Sequence, residues 1–227
     1  MEIKNPWPEL PPSSPFVLAN DAELLSVCGS KASGLRTEVL PDPYVGDPNS
    51  ASVILLALNP GFRQADIDLN MASEEYVDQS RRNLTHESRT PFLFFDPAFE
   101  YTGGNIWWSR ILAPLMKAGI PKQEIAKKIA CVQYLPYHSV TYRDLGVILP
   151  SQRYSFFLVR EAIRTGKTIV VMRSSRFWLK SVPELNGYPY LTVRNYRNPS
   201  LSPTNLGEQA FDTLIEALST NSDLSCI

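Results

Sequence analysis

Short apolar runs separated by turn residues divide this chain into alternating strands and helices. The clearest run is 53–58, where six consecutive apolar residues predict a strand that is buried on both faces of a sheet. Similar runs predict three further strands, at 129–135, 168–172 and 190–193. The spacing of apolar residues, with helix start and stop signals, predicts helices at 16–28, 73–84, 105–118, 121–128, 152–165 and 206–218, the last capped by Thr204.

This order of elements predicts the fold class. Strands that alternate with helices favour a parallel sheet between two helical layers. We therefore expect an α/β fold with three layers, α/β/α, around a short, mainly parallel, four-stranded sheet. The 227 residues fit one domain, 1–227, in which we expect a proline-rich extended arm over 1–15, a long polar segment over 63–104 and a tail over 219–227.

Composition indicates an ordinary soluble protein. Hydrophobic residues make up 44% of the chain and charged residues 20%. No apolar run approaches the roughly 20 residues that a membrane helix needs, and the N-terminus lacks the pattern of a signal peptide. The three cysteines, Cys28, Cys131 and Cys226, are few and far apart, which fits a reducing compartment. We expect a cytoplasmic monomer with no membrane contact.

Positive charge is concentrated in one part of the sequence. The net charge is −1, but residues 151–200 contain nine Lys or Arg and two acidic residues. A surface with this balance attracts phosphate groups. Some of these residues are expected to be ordinary solvated helix positions, as for Arg160 and Arg164, which are four apart.

The first predicted core strand ends abruptly at Asn59, which is followed by Pro60 and Gly61. Ligands of open α/β sheets bind at the carboxyl ends of the strands, so an amide held there between a strand and a tight turn is a candidate site residue. The alternative is that Asn59 only forms a turn, as Asn before Pro often does.

A second strand leads into a similar turn near the other end of the chain. The strand 190–193 is followed by the segment 194–203, which contains Asn198-Pro199-Ser200-Leu201-Ser202 and two arginines. Together, 58–61 and 198–202 resemble the two signature motifs of the uracil-DNA glycosylase superfamily. The first is similar to the water-activating motif of the mismatch-specific and single-strand-selective branches. The second is similar to the DNA-intercalating motif, in the mismatch-specific form with Asn where other branches have His.

The resemblance implies a monofunctional DNA glycosylase. Such an enzyme hydrolyses the N-glycosidic bond of a flipped pyrimidine, of uracil type or bulkier, and leaves an abasic site. Asn59 would orient the water, because an amide has no useful pKa for acid–base catalysis. Asn198 would stabilise the leaving base, and His138, at the end of another strand, would donate a hydrogen bond to the leaving base or to a phosphate. A structurally bonded histidine is the alternative for His138.

Further residues would bind the base. Phe62 would stack on it, unless its ring only packs in the core. Gln133 would recognise its edge, since 133–136 resembles an Asn-Tyr-Cys-Pro segment of the single-strand-selective enzymes. Tyr137, just beyond, and Asn105, in a run that resembles an Asn-x-Phe-Trp segment, complete the predicted base-binding set.

The DNA strand would be held by the second motif and by arginines. Leu201, expected to be exposed, would wedge into the gap left by the flipped nucleotide, and Ser200 and Ser202 would bind phosphate. The arginines predicted to hold the DNA backbone are Arg194 and Arg197 beside this motif, and Arg173 and Arg176 at a helix start. A solvent-facing turn is the alternative for the latter pair.

One departure from the family concerns the long segment 63–104, an insertion beside the expected site. With Gln133 in place of Asn, it favours a base larger than uracil, such as a hypermodified pyrimidine in foreign DNA, and hence a role in defence as well as in repair. No cofactor or metal is expected, because two histidines and three cysteines offer no ligand cluster.

Two other functions remain open at this point. One is a non-catalytic nucleic-acid-binding protein on a glycosylase fold, which the amides in both motifs would permit. The other is a hydrolase or transferase that acts on small nucleotides and needs no wedge.

Overall fold

A computed structural model describes residues 3–220 of the chain. Its strands in this range are β1 (Leu35–Arg36), β2 (Tyr44–Val45), β3 (Val53–Ala57), β4 (Ile129–Gln133), β5 (His138–Ser139), β6 (Thr168–Val171) and β7 (Tyr190–Thr192). The α-helices are α1 (Ala19–Cys28), α2 (Gln64–Ala72), α3 (Glu74–Leu84), α4 (Gly103–Lys117), α5 (Lys122–Lys128), α6 (Gln152–Arg164), α7 (Ser175–Ser181), α8 (Pro203–Leu206) and α9 (Glu208–Ser219). Short 3₁₀ segments lie at Trp7–Glu9, Gly29–Gly34, Leu93–Phe95, Pro97–Phe99 and Pro183–Gly187.

The central sheet is mostly parallel, as predicted. Its order is β2–β4–β3–β6–β7, and β3 pairs in parallel with both β4 and β6, while β6 pairs in parallel with β7. The four predicted strands are therefore confirmed. The sheet has a fifth strand that was not predicted, because the two-residue β2 pairs antiparallel with β4 at one edge.

Helices cover both faces of the sheet. The strand β3 is therefore buried at every position, in keeping with its apolar sequence. Ile54 and Leu56 belong to a core cluster with residues of α6 and α7. Val53, Leu55 and Ala57 belong to another cluster, with residues of α4, α5 and α9. Complete burial of a large apolar side chain contributes about 1.5–3 kcal/mol, so these two clusters fix the layers on the sheet.

Gly46 lets the edge strand β2 approach β4 closely. Its φ is +81°, and a Cβ built there would lie 2.7 Å from the carbonyl oxygen of Ile129. A larger residue would be strained both by the backbone conformation and by this contact. The absence of a side chain at Gly46 thus allows β2 to pair with β4.

Two predicted regions are more structured than expected. The arm over 1–15 contains a 3₁₀ turn instead of being extended throughout, and Trp7 and Leu10 in it are only 2% and 5% exposed. The segment 63–104 contains α2, which was not predicted, and α3, which matches the predicted helix 73–84. Ser73 caps α3, because its Oγ accepts a hydrogen bond from Tyr76 N. This segment therefore packs against the core as well as facing solvent.

The C-terminal helical region differs from the prediction. It consists of two helices, α8 and α9, because Gly207 between them adopts φ +94°. Ser202, and not Thr204, caps α8, since Ser202 Oγ accepts a hydrogen bond from Asn205 N. Residues 221–227 of the predicted tail, with Cys226, lie outside the described residues. Across residues 3–220, none of the helices combines the length and apolar character needed to cross a bilayer.

Candidate functional site

A cavity of about 350 Å³ opens at the carboxyl edge of the sheet. The loop after β3, the ends of β4 and β6, the strand β5, the helix α2 and the N-terminal turn of α4 all contribute to its walls. The predicted site residues that line it are Asn59, Phe62, Gln133, His138 and Arg173. The structure thus brings together residues that are up to 114 positions apart, from Asn59 to Arg173.

The loop that carries Asn59 is held against the segment after β4. Leu135 N donates to Leu58 O at 2.8 Å, and Ser139 N donates to Pro60 O at 3.2 Å. Gly61 and Ser139 form an additional parallel bridge. These bonds extend the pairing of the two strands beyond their ends, so the loop is a fixed wall of the cavity.

The amide of Asn59 has a defined orientation. Its Nδ2 donates to Ser139 Oγ at 2.8 Å and to Pro60 O at 2.9 Å, and lies 3.5 Å from Tyr137 O. Carbonyl oxygens accept hydrogen bonds only, so these contacts require the NH₂ group on this side. Among residues 3–220, no group donates to Asn59 Oδ1. This acceptor is therefore available to a water or a ligand.

His138 forms an ion pair at the wall of the cavity. The ring is 9% exposed, its Nδ1 lies 2.6 Å from Gly61 O, and its Nε2 lies 3.4 Å from Asp42 Oδ2. Burial alone would lower the pKa of His138, but the hydrogen bond and charge of Asp42, together with the Gly61 carbonyl, raise the pKa above its ordinary value. The protonated, positively charged form of the ring is therefore favoured beside the cavity.

Asp42 is a cavity residue that the sequence did not reveal. It is 7% exposed and lies between two prolines in the turn-rich approach to β2. A lone Asp-Pro in such a segment is an ordinary turn signal. Its carboxylate reaches His138 because β2 pairs with β4 and Asp42 N donates to Pro136 O at 3.0 Å.

Gln133 presents an unused amide. The side chain is 6% exposed, and its Oε1 is buried without a hydrogen-bond partner within residues 3–220. A buried acceptor left without a donor costs about 1–3 kcal/mol. A hydrogen-bond donor that reached Oε1 would remove this cost.

Aromatic rings form much of the remaining wall. Phe62 is half-buried, and the guanidinium of Arg36 lies 4.9 Å from the centre of its ring. Trp107 and Trp108 pack edge-to-face, with their centroids 4.6 Å apart. Gly104 leaves room for Phe94, since a Cβ at Gly104 would collide with that ring. A planar, apolar ligand finds large flat surfaces here.

Arg173 connects the cavity to the second sequence motif. It is half-buried and lines the cavity, and its Nη2 lies 3.5 Å from Arg197 O. Burial lowers the pKa of the guanidinium, and its Nε has no partner within residues 3–220. Arg176, two residues into α7, is exposed and stacks on Phe177 at 4.8 Å instead of lining the cavity.

The second motif lies at the same edge of the sheet but does not line the cavity. Asn198 is exposed, and its carbonyl accepts a hydrogen bond from Asn205. Leu201 was expected to be exposed, and this is wrong: it has no exposed surface, because its backbone N donates to Ile111 O and its side chain packs in the core beside α4. The Ser202 hydroxyl, predicted to bind phosphate, caps α8.

Two predicted base-binding residues are structural. Tyr137 has no exposed surface, its hydroxyl donates to Asp21 Oδ2 at 2.7 Å, and it does not line the cavity. Adjacent residues on an extended segment point to opposite sides, so the ring of Tyr137 faces the core while His138 faces the cavity. Asn105 is 7% exposed and donates to Phe94 O at 2.6 Å, so it supports the cavity wall without lining it.

Other cavity residues come from the segment 63–104, which gave no chemical signal in the sequence. Arg63 and Asp66 line the cavity, and Asp66 Oδ2 accepts a hydrogen bond from Arg63 N at 2.6 Å. His86 lies outside the cavity lining and stacks on Tyr44 at a centroid distance of 4.6 Å. The segment 63–104 thus supplies part of the cavity wall. Its polar residues show no pattern in the sequence that would have predicted this.

In the part of the chain that the structure describes, no three His, Cys, Asp or Glu side chains are placed to hold a metal ion. The polar groups that line the cavity are amides, the His138–Asp42 pair and guanidinium groups, and they lie beside aromatic rings. No family model, no curated protein and no solved structure matches this chain.

Proposed function

We propose that this protein is a monofunctional DNA glycosylase that hydrolyses the N-glycosidic bond of a flipped pyrimidine and leaves an abasic site. The observation that carries the proposal is the cavity itself, which is lined by the oriented amide of Asn59, by Gln133 and by aromatic rings. Its volume of about 350 Å³ lies in the range of small-ligand pockets.

Asn59 would position the attacking water. Its free Oδ1 accepts a hydrogen bond from the water, whereas its Nδ2 is already engaged. An amide does not take up a proton at ordinary pH, so the bond to the base breaks largely before the water attacks. The electron pair of the C–N bond leaves with the base, the water oxygen bonds to C1′ of the sugar, and the released proton passes to Asp42 or to solvent.

His138 would stabilise the departing base through its charge. The base leaves as an anion, and a positive charge fixed beside a water-poor cavity lowers the energy of that state. Both ring nitrogens already have partners, Gly61 O and Asp42, so a direct proton transfer to the base is not required for this role. Asp42 in turn faces the positive charge that develops on the sugar.

Recognition of the base would rest on Gln133 and Phe62. The Oε1 of Gln133 accepts from an N–H group on the base edge, and its Nε2 can donate to a neighbouring carbonyl oxygen. This pairing fits the imide edge of a pyrimidine. Phe62 offers its ring for stacking, and the walls from 63–104 leave space for a substituent on the base.

The test is an excision assay on duplex and single-stranded DNAs. They carry uracil, thymine mismatched with guanine, hydroxymethylated bases or glucosylated bases, and alkali then cleaves at abasic sites. We expect strand cleavage with at least one base and none with Asn59→Ala. Asn186→Ala serves as the matched control, since this exposed amide donates only to Pro183 O. Salt-sensitive binding without any cleavage would favour the non-catalytic alternative.

A second candidate, a hydrolase of free nucleosides, is favoured by one observation. Leu201 is buried, so the predicted wedge that a duplex substrate requires is missing at that position. Release of base from free nucleosides at rates similar to those with DNA would support this candidate and contradict the glycosylase proposal.

A further inference from the structure

We propose that Tyr196 is the side chain that enters the DNA duplex and fills the space left by the flipped nucleotide. This inference rests on the proposed function, because a wedge is needed only where a nucleotide leaves a duplex. It assigns the role that Leu201 cannot fill from its buried position.

Tyr196 is strongly exposed for an aromatic residue, at 60%. It lies in the segment 194–198, here called the arginine loop, which follows β7 at the carboxyl edge of the sheet. The loop adjoins the cavity, because Arg173 lines the cavity and its Nη2 lies 3.5 Å from Arg197 O. A DNA strand that feeds a nucleotide into the cavity therefore passes close to this loop.

The backbone on both sides of Tyr196 is fixed by hydrogen bonds. Asn205 Oδ1 accepts from Asn195 N at 2.7 Å, and Asn205 Nδ2 donates to Asn198 O at 3.1 Å. Asn195 Oδ1 accepts from the N atoms of Arg197 and Asn198, at 3.1 and 3.2 Å. The exposed ring is thus presented by an ordered turn, which lowers the entropy lost when it inserts.

The charge around Tyr196 suits a nucleic acid. Arg194 and Arg197 flank it, and the sequence between Glu184 and Glu208 contains no acidic residue. Within residues 3–220, neither of these arginines forms an ion pair. Phosphates attracted to the two guanidinium groups would place the strand over the ring, an arrangement of basic and aromatic groups that binds nucleic acid.

The test measures binding, by fluorescence anisotropy, to a duplex with a tetrahydrofuran abasic-site analogue, to the intact duplex and to the single strand. We expect Tyr196→Ala to weaken binding to the abasic duplex about 10-fold, the scale of one aromatic stacking contact. Tyr196→Phe should keep the wild-type affinity, because the ring and not the hydroxyl fills the gap. The matched control is Tyr101→Ala, since Tyr101 is 67% exposed but follows Glu100 instead of an arginine.

Four results of the binding test would overturn the inference. The first is an unchanged affinity of Tyr196→Ala for the abasic duplex. The second is an equal loss of affinity for the single strand, which would indicate stacking on the protein surface. The third is a loss of affinity in Tyr101→Ala as large as that in Tyr196→Ala. A protein that binds none of the three DNAs overturns it as well.

The same variants separate this inference from the proposed function. Binding to the abasic duplex requires no excision. If that binding depends on Tyr196 but the protein excises no base, the inference about Tyr196 holds and the glycosylase proposal is refuted. Excision from duplex DNA at the wild-type rate by Tyr196→Ala would leave the glycosylase standing and refute the wedge.

Discussion

Asn59 shows how neighbouring groups set the orientation of a single side chain. One side of its amide is used by Ser139 and by backbone carbonyls, so the acceptor side alone is free. The same hydrogen bonds that hold the loop also decide which atom meets a ligand. A substitution at this position therefore changes orientation and chemistry together.

Asn59→Asp is expected to be a poor replacement in spite of its similar shape. A carboxylate oxygen would take the place of Nδ2 opposite Pro60 O, and two acceptors repel each other at 2.9 Å. We expect a loss of about 1–3 kcal/mol in the free energy of unfolding, measured by urea denaturation, together with excision at least about 10²-fold slower. An Asp variant with wild-type stability and rate would show that the Nδ2 contacts do not orient this side chain.

The His138–Asp42 pair predicts a pH dependence with a definite sign. The pKa of His138 is raised in the folded protein, so its contribution to stability is fully present below the unfolded value of about 6.5 and is lost as pH rises through the folded pKa. Asp42→Asn removes the partner and should lower the pKa of His138.

An NMR titration of the histidine ring protons checks this expectation. The chain contains two histidines, His86 and His138, so His86→Gln assigns both signals. Thermal unfolding of the wild type and of Asp42→Asn, compared over the same pH range, should differ most on the acid side. A His138 signal that titrates below 6.5 in the wild type contradicts the ion pair.

The position of a residue at the cavity was predictable from the sequence where a polar side chain stands at the end of a buried strand. Asn59 and Gln133 stand at such ends, and both line the cavity. Tyr137 and Leu201 do not line the cavity, because contacts with Asp21 and Ile111, which are distant in the sequence, hold them in the core. Asp42 was missed for the same reason, since its partner His138 is 96 positions away in the sequence.

Among the elements, those with a clear apolar pattern were predictable and those without one were not. Four of the strands carry apolar runs that show in the sequence, whereas β2 has two residues and no period. The helix α2 has only a weak apolar stripe, and it is held instead by Asp66, which accepts a hydrogen bond from Arg63 at its start, and by contacts with α3. The strand β2 and the helix α2 therefore form because of contacts with other parts of the chain, which the local sequence does not show.

The segment between β7 and α8 is attached to the core by Leu201, whose side chain is buried beside α4. Leu201→Ala removes a fully buried side chain next to α4, so we expect a loss of about 2–5 kcal/mol in the free energy of unfolding. Chemical denaturation measures this loss. DNA affinity, determined where the variant is folded, should stay within about twofold of wild type, because surface contacts are untouched. Unchanged stability with a large loss of DNA affinity would restore Leu201 as the wedge.

For the whole molecule, the distribution of charge matters more than its sum. Several basic residues of 151–200 are already paired, such as Arg160 with Glu184 and Arg164 with Glu161. Arg173 and the arginines of the arginine loop are not, and they lie at the carboxyl edge of the sheet. The positive surface is therefore smaller than the sequence suggested, but it adjoins the cavity.

This distribution predicts how DNA affinity depends on salt. Each phosphate contact contributes about 0.9 to the slope of log K against log salt concentration. Arg194→Ala and Arg197→Ala should each reduce the slope by about 1, whereas Arg164→Ala should not, because Arg164 is paired with Glu161. Anisotropy titrations at several salt concentrations measure the slopes, and equal slopes for all three variants would refute the DNA-binding surface.

The Oε1 atom of Gln133, a buried acceptor without a hydrogen-bond donor within residues 3–220, has a practical consequence. A compound that satisfies it binds the native protein and not the unfolded chain, so it raises the melting temperature in proportion to its affinity and concentration. Differential scanning fluorimetry with free bases and nucleosides can therefore rank candidate ligands before any turnover is observed. Gln133→Leu, which removes the acceptor at similar volume, should melt at the same or a higher temperature and respond to none of them.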